Sequence, residues 1–193
     1  MQRNSGTNLT NARTSALSIL HGEHVAYATA LKNLNKQLDR ACTHSSRQSL
    51  DIVETGLRFI DTFIDHFHHP KEDEFLFRAL RKRTNEADYV LRDLQFEHAY
   101  AAQTLVELKS ALNQAKGGDS AQIAHLAQLM ERYMNAQFAH MECEESVVFP
   151  LAQRVLNEAD WRDIDRAFRA NRDPLFSVQT SGNFGALFRT SGV

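Results

Sequence analysis

Residues 66–77, HFHHPKEDEFLF, align without gaps on residues 138–149, FAHMECEESVVF, at an offset of 72, pairing His68 with His140, Glu72 with Glu144 and Phe77 with Phe149. A second match lays residues 23–34, EHVAYATALKNL, on residues 97–108, EHAYAAQTLVEL, at an offset of 74, pairing Glu23-His24 with Glu97-His98. Self-similarity at a long period marks a structural unit used twice. Each unit here carries Glu-His on one segment and His-x-x-x-Glu on the next. The fold must therefore hold two copies of a two-segment unit with histidine and glutamate in the same register in both.

The segments read as helices. The 193 residues include only three prolines and eight glycines, most of the latter near the ends or in the pair Gly117-Gly118, so the interior has few breakers. Over 15–39, Leu17, Leu20, His24, Tyr27, Leu31, Leu34 and Leu38 recur at three- and four-residue intervals. A second run over 48–81 carries Ile52, Leu57, Ile60, Phe63, Ile64, Phe67, Phe75, Leu76 and Leu80; Pro70 interrupts it and predicts a kink near 66–70. A third over 85–116 presents Val90, Leu91, Leu94, His98, Ala101, Leu105 and Leu108 and stops at Gly117-Gly118-Asp119, a helix-ending pair followed by an N-cap residue. A fourth over 120–156 aligns Ile123, Leu126, Met130, Tyr133, His140 and Val148. Residues 159–170 predict one short helix, and the polar, Gly-rich remainder with isolated Phe and Leu anchors predicts a loosely packed tail. The expected architecture is all-α: an up-down-up-down four-helix bundle over 1–157, with the short C-terminal helix and irregular tail of 158–193 packing on it.

Charge and composition narrow the function classes. A formal charge of −2 from 22 basic and 24 acidic residues, mixed along the chain, gives no field for nucleic acid or an anionic membrane. No apolar run approaches the roughly 20 residues of a membrane span, and the polar start lacks the layout of a signal peptide, so a cytoplasmic protein is expected. Cys42 and Cys143 lie far apart in helical sequence and read as reduced thiols, with Cys143 a small buried filler. Nothing resembles a phosphate-binding Gly loop or a Cys-pair zinc motif.

The histidines are the chemical signal. There are nine; His24, His98 and His140 each fall on an inward helical stripe, and His68 matches His140 in the repeat. Residues four apart on a helix share a face, about 6 Å apart along the axis, so the His and Glu of each His-x-x-x-Glu reach one core site together. Burying bare carboxylates among Leu, Ile and Phe costs several kcal/mol each, which a metal counter-charge offsets. Imidazole mixed with carboxylates that bridge two ions favours iron or manganese.

With these residues, above all HFHHPKEDEFLF, the chain resembles the bacterial hemerythrin-like, or HHE cation-binding, proteins over nearly its whole length. The resemblance implies a cofactor of two iron ions, a non-haem di-iron centre with an oxo or hydroxo bridge, with His24, His68, His98 and His140 as terminal ligands and Glu72 and Glu144 as bridges. The oxygen carriers of the family use a fifth histidine one turn after the third-helix ligand, where this chain has Ala102. His69, or water or an exogenous molecule, takes that place; the iron-sensing F-box member has a ligand beside its second-helix histidine. The carriers also space the fourth-helix His and carboxylate one residue further apart, which makes Glu145 a rival to Glu144. His66 reads as an exposed or gating neighbour, Asp73 and Glu74 as a solvated face, and His21, His44 and His125 as surface residues. Glu23 and Glu97 either orient imidazoles or point elsewhere. Tyr27 and Tyr133 read as core residues in preference to partners of bound dioxygen.

The resemblance implies a protein that binds or senses a small diatomic ligand, oxygen or nitric oxide, or that handles iron. The alternative is a di-iron redox enzyme acting on peroxide or nitric oxide, which an open coordination place favours. No nucleic-acid or membrane partner is expected.

Overall fold

The computed structural model describes residues 5–44 and 46–170 together with Phe184 and Leu187. Every regular element among them is helical. We number them α1, Ser5–His44; α2, 47–83; α3, Asp88–Ala115; α4, 120–155; and α5, Glu158–Ala170. The all-α expectation holds. α1 outruns its expected limits at both ends because a count based on leucines passes over small residues: Ala12 and Ala41, beyond those limits, are both buried.

Local chemistry sets the helix ends. Ser46 caps α2 by accepting from the Ser49 N–H, and Asp119 caps α4 by accepting from the Ala121 N–H at 2.9 Å. Gly118 has φ 83°, the left-handed conformation that the turn after α3 requires. The connections are short, so sequential helices pack antiparallel. Contacts run α1–α2, α2–α3, α3–α4 and α4–α1, closing a four-helix ring, and α5 lies along α1.

The core is divided in two. One apolar zone gathers Leu31, Leu34, Leu57, Phe63, Leu108 and Leu126; the other gathers Leu20, Leu80, Leu91, Val148, Trp161 and Phe168. Gly56 permits the first to close, since the Leu34 Cδ2 atom sits 2.2 Å from where a Cβ on that residue would stand. Of the expected tail anchors, Phe184 stacks edge-on against Phe59 at 5.5 Å, and the Leu187 carbonyl accepts from Asn33. Both are buried; the rest of the tail lies outside the described residues.

Between the two zones α2 and α4 change their winding. Ile60–His68, Glu72–Phe77 and Glu144–Val148 are π-helical. In each helix one such stretch ends where a proline follows: the N–H of His69, before Pro70, bonds the Ile64 carbonyl, and that of Phe149, before Pro150, bonds the Glu144 carbonyl. A wider turn makes room for a ring that otherwise clashes with the carbonyl four residues back. The disturbance expected around Pro70 thus takes the form of a π-helical winding in a continuous helix, and α4 repeats it.

Candidate metal centre

The layer between the apolar zones receives side chains from all four bundle helices: His24 from α1, His68, His69 and Glu72 from α2, His98 from α3, and His140 and Glu144 from α4. None is more than 7% exposed. They form three overlapping groups whose candidate ligand atoms lie within 4.8 Å of one another: His24, His68 and Glu72; Glu72, His98, His140 and Glu144; and His69, His98 and His140. All seven residues expected from the sequence are therefore brought together.

The carboxylates span the layer. Glu72 turns Oε1 toward His68 Nε2 at 3.4 Å and His24 Nε2 at 3.5 Å, and Oε2 toward His98 Nε2 at 3.7 Å. Glu144 Oε2 lies 3.3 Å from His24 Nε2 and 3.5 Å from His140 Nε2. Two ligand atoms each bound at about 2.1 Å to one ion are separated by roughly 3 Å at a right angle and by about 3.5 Å when the angle opens. The distances fit metal coordination by these imidazoles and the two carboxylates between them.

Each of the four histidines is held from behind. His24 Nδ1 pairs with Glu145 at 2.9 Å, His68 Nδ1 with Glu23 at 2.8 Å, His98 Nδ1 with Asp73 at 3.2 Å, and His140 Nδ1 with Glu97 at 2.8 Å. A carboxylate there accepts a hydrogen bond from Nδ1–H, which leaves Nε2 as the nitrogen that can ligate a metal. These partners repeat with the ligands: Glu23 and Glu97 precede His24 and His98, while Asp73 and Glu145 follow Glu72 and Glu144. Each reaches across to a neighbouring helix rather than to its own neighbour in sequence. Glu145 thus lies outside the shared space and backs His24, and Asp73 is no mere solvated residue.

Positive charge is what the layer lacks. All four oxygens of Glu72 and Glu144, and His24 Nε2, are buried without a hydrogen-bond partner, although buried polar atoms in folded proteins are nearly always satisfied. Protonated imidazoles answer the same demand. Burial, the strongest influence on His24, pulls it down, yet Glu144 and Glu72 outweigh it and raise its pKa well above the ordinary value. Burial likewise pulls His98 down, while Asp73 and Glu72 carry it upward. Glu72 is pushed up by burial and down by His68, His24 and His98, ending well below the usual carboxylate range. His69 is held well below its ordinary value, by burial first and then by His98, His68 and His140, so it stays a neutral donor.

The two halves differ at one ligand position. His69 stacks on His98 at 4.1 Å and meets His140 edge-on at 5.5 Å; its counterpart at the offset of 72 is Met141. The space between His98 and His140 therefore has three imidazoles within reach, and that between His24 and His68 has two. Beside the latter, between α1 and α4, lies a cavity of about 520 Å³ lined by His21, His24, Val25, Phe138, Met141 and Glu145. His66, His44 and His125 are exposed. Tyr27 and Tyr133 join hydroxyls at 2.8 Å within the apolar zone. Among the described residues, no helix is long and apolar enough to cross a membrane.

A family model, that of the hemerythrin HHE cation-binding domain, matches residues 15–152. No curated protein matches the chain.

Proposed function

The chain belongs to the hemerythrin HHE cation-binding domain family, and from that premise we propose that it is a non-haem di-iron protein that binds or senses dioxygen or nitric oxide, or holds iron. Family membership and the buried His/Glu layer mark it as a metal-binding protein; the count of two ions, their identity as iron and the diatomic ligand are our reading. The observation that carries it is the set of four buried carboxylate oxygens without a hydrogen-bond partner beside four imidazoles, each imidazole fixed by a carboxylate behind it.

His24 and His68 would hold one ion, His69, His98 and His140 the other, with Glu72 and Glu144 shared. When bound, iron supplies one-electron chemistry and a coordination place for a small molecule. The chain does the rest. Glu145, Glu23, Asp73 and Glu97 hold the Nδ1 protons and orient the rings, the two apolar zones exclude water from either side, and Met141 leaves the His24 side one donor short, next to the cavity. That cavity favours an exogenous ligand over a purely structural ion. It equally supports the second reading, a redox enzyme acting on peroxide or nitric oxide.

The test is the metal content and absorption spectrum of protein purified from iron-supplied cells, before and after dithionite and on return to air. Two irons per chain, with near-ultraviolet bands that bleach on reduction, support the reading. A stable coloured species in air indicates a binding protein, and immediate reoxidation indicates redox turnover. One zinc, or no metal, would falsify it.

A further inference from the structure

Lys71 is an anomaly beside the metal layer. Its side chain is only 7% exposed, and burying an ammonium costs several kcal/mol unless something compensates it. Two groups do. Its Nζ lies 3.3 Å from Glu23 Oε1 and 4.8 Å from the centroid of the Phe168 ring, within the range of a cation–π contact. Glu23, 2% exposed, uses its other oxygen to hold His68 Nδ1. The connection therefore runs from α5, through Phe168, Lys71 and Glu23, to a candidate ligand.

The other half lacks this connection. At the offset of 72, Lys71 corresponds to Cys143, a neutral thiol. Glu97, the counterpart of Glu23, has a half-exposed side chain behind His140, and among the described residues no buried cation pairs with it. The carboxylate–imidazole pair behind one ion is thus neutralised by a buried positive charge, while the equivalent pair behind the other faces solvent. An unscreened charge in a low-dielectric layer acts on its surroundings far more strongly than one in water.

We propose that Lys71, clamped by Phe168 of α5, is a positioning residue that makes the two halves of the metal centre electrically unequal, favouring reduction at the His24/His68 side. It fixes Glu23 against His68 and draws electron density away from that imidazole, as no described residue does for His140. With His69 giving the other side a third imidazole, both asymmetries act in one direction: the side richer in donors is the harder to reduce. α5 becomes part of the metal centre's tuning, although it contributes no ligand.

This rests on the di-iron reading, and one experiment separates the two. Wild type, Lys71→Met, Lys71→Arg and Phe168→Leu are loaded with iron, and metal content, thermal midpoint and a spectroscopic reductive titration are measured for each. The expected result is two irons in every variant, a first reduction step moved to lower potential in Lys71→Met, a return toward wild type in Lys71→Arg, and a smaller downward shift in Phe168→Leu. A Lys71→Met protein that melts lower but is reduced at the wild-type potential overturns the proposal and leaves Lys71 a packing residue. If Lys71→Met does not fold, Phe168→Leu decides by the same criterion. Absence of two reducible irons in the wild type overturns the di-iron reading, and this proposal with it.

Discussion

In the apolar zone built around Leu34, Leu57 and Leu108, the Tyr27 and Tyr133 hydroxyls satisfy each other; one turn along α1, at His24, the layer of Glu72 and Glu144 holds five buried atoms without a hydrogen-bond partner. The same four helices build both. The two hydroxyls of the apolar zone are satisfied within the protein, whereas the carboxylates of the ligand layer call for a compensating positive charge. The comparison teaches that stability and function are segregated by depth along the bundle, so changes in one layer should leave the other's signature intact.

The largest effect comes from removing the orphaned carboxylates. Glu72→Ala with Glu144→Ala abolishes metal binding, and because the variant no longer buries uncompensated charge, its metal-free form melts no lower than metal-free wild type. Elemental analysis and calorimetry check both halves of the statement; a metal-free variant that melts well below its parent breaks the comparison. Next, chelating the metal from wild type lowers stability by about 2.7 kcal/mol for each ion that had been present at a hundredfold excess over its Kd, and the same treatment leaves the double variant unchanged. In the other zone, Gly56→Ala forces a Cβ onto Leu34 and costs about 1–3 kcal/mol in a denaturant titration, with metal stoichiometry intact.

The smallest effect lies at the border between the layers. Asp65 faces His69 Nδ1 at 3.5 Å, and burial, helped by Asp61, raises its pKa from 3.8 to about 6. In that window the folded, metal-free protein holds a proton that the unfolded chain has released. Stability is therefore greatest below the window, falls as pH rises through it, and stays lowered above about 6. Asp65→Asn should gain about 1 kcal/mol over wild type at pH 7, after the cost of burying an amide, and the gain should disappear at pH 3.5. Equal differences at both pH values would show that Asp65 carries no such penalty.

The ligand layer was legible in sequence wherever two periodicities coincided. His24, His98 and His140 sit on 3.6-residue apolar stripes and also recur between the two halves, so register and repeat pick out the same residues. The backing carboxylates were only partly legible: Glu23 and Glu97 stood open as residues that orient imidazoles, but their partners were hidden, because each reaches a histidine on another helix, Glu23 holding His68 and Glu97 holding His140. One signal was present and is recoverable. Asp73 and Glu145 occupy matching places in the repeat, which a solvated face has no reason to preserve. Lys71 was hidden for a different reason, since its burial depends on Phe168, about a hundred residues later, and a lysine beside two acidic residues reads locally as surface. The π-helical stretches leave no periodicity of their own, although the two prolines that follow them mark the place.

The centre draws on every helix, and this fixes when it can exist during synthesis. As the chain emerges from the ribosome, the first half presents His24, His68, His69 and Glu72 with nothing to close over them, while His140 and Glu144 are still untranslated. The clamp on Lys71 waits longer still, for Phe168. A nascent half-chain offers only part of the donor set, so a metal finds the whole set only once the fourth helix has closed on the layer.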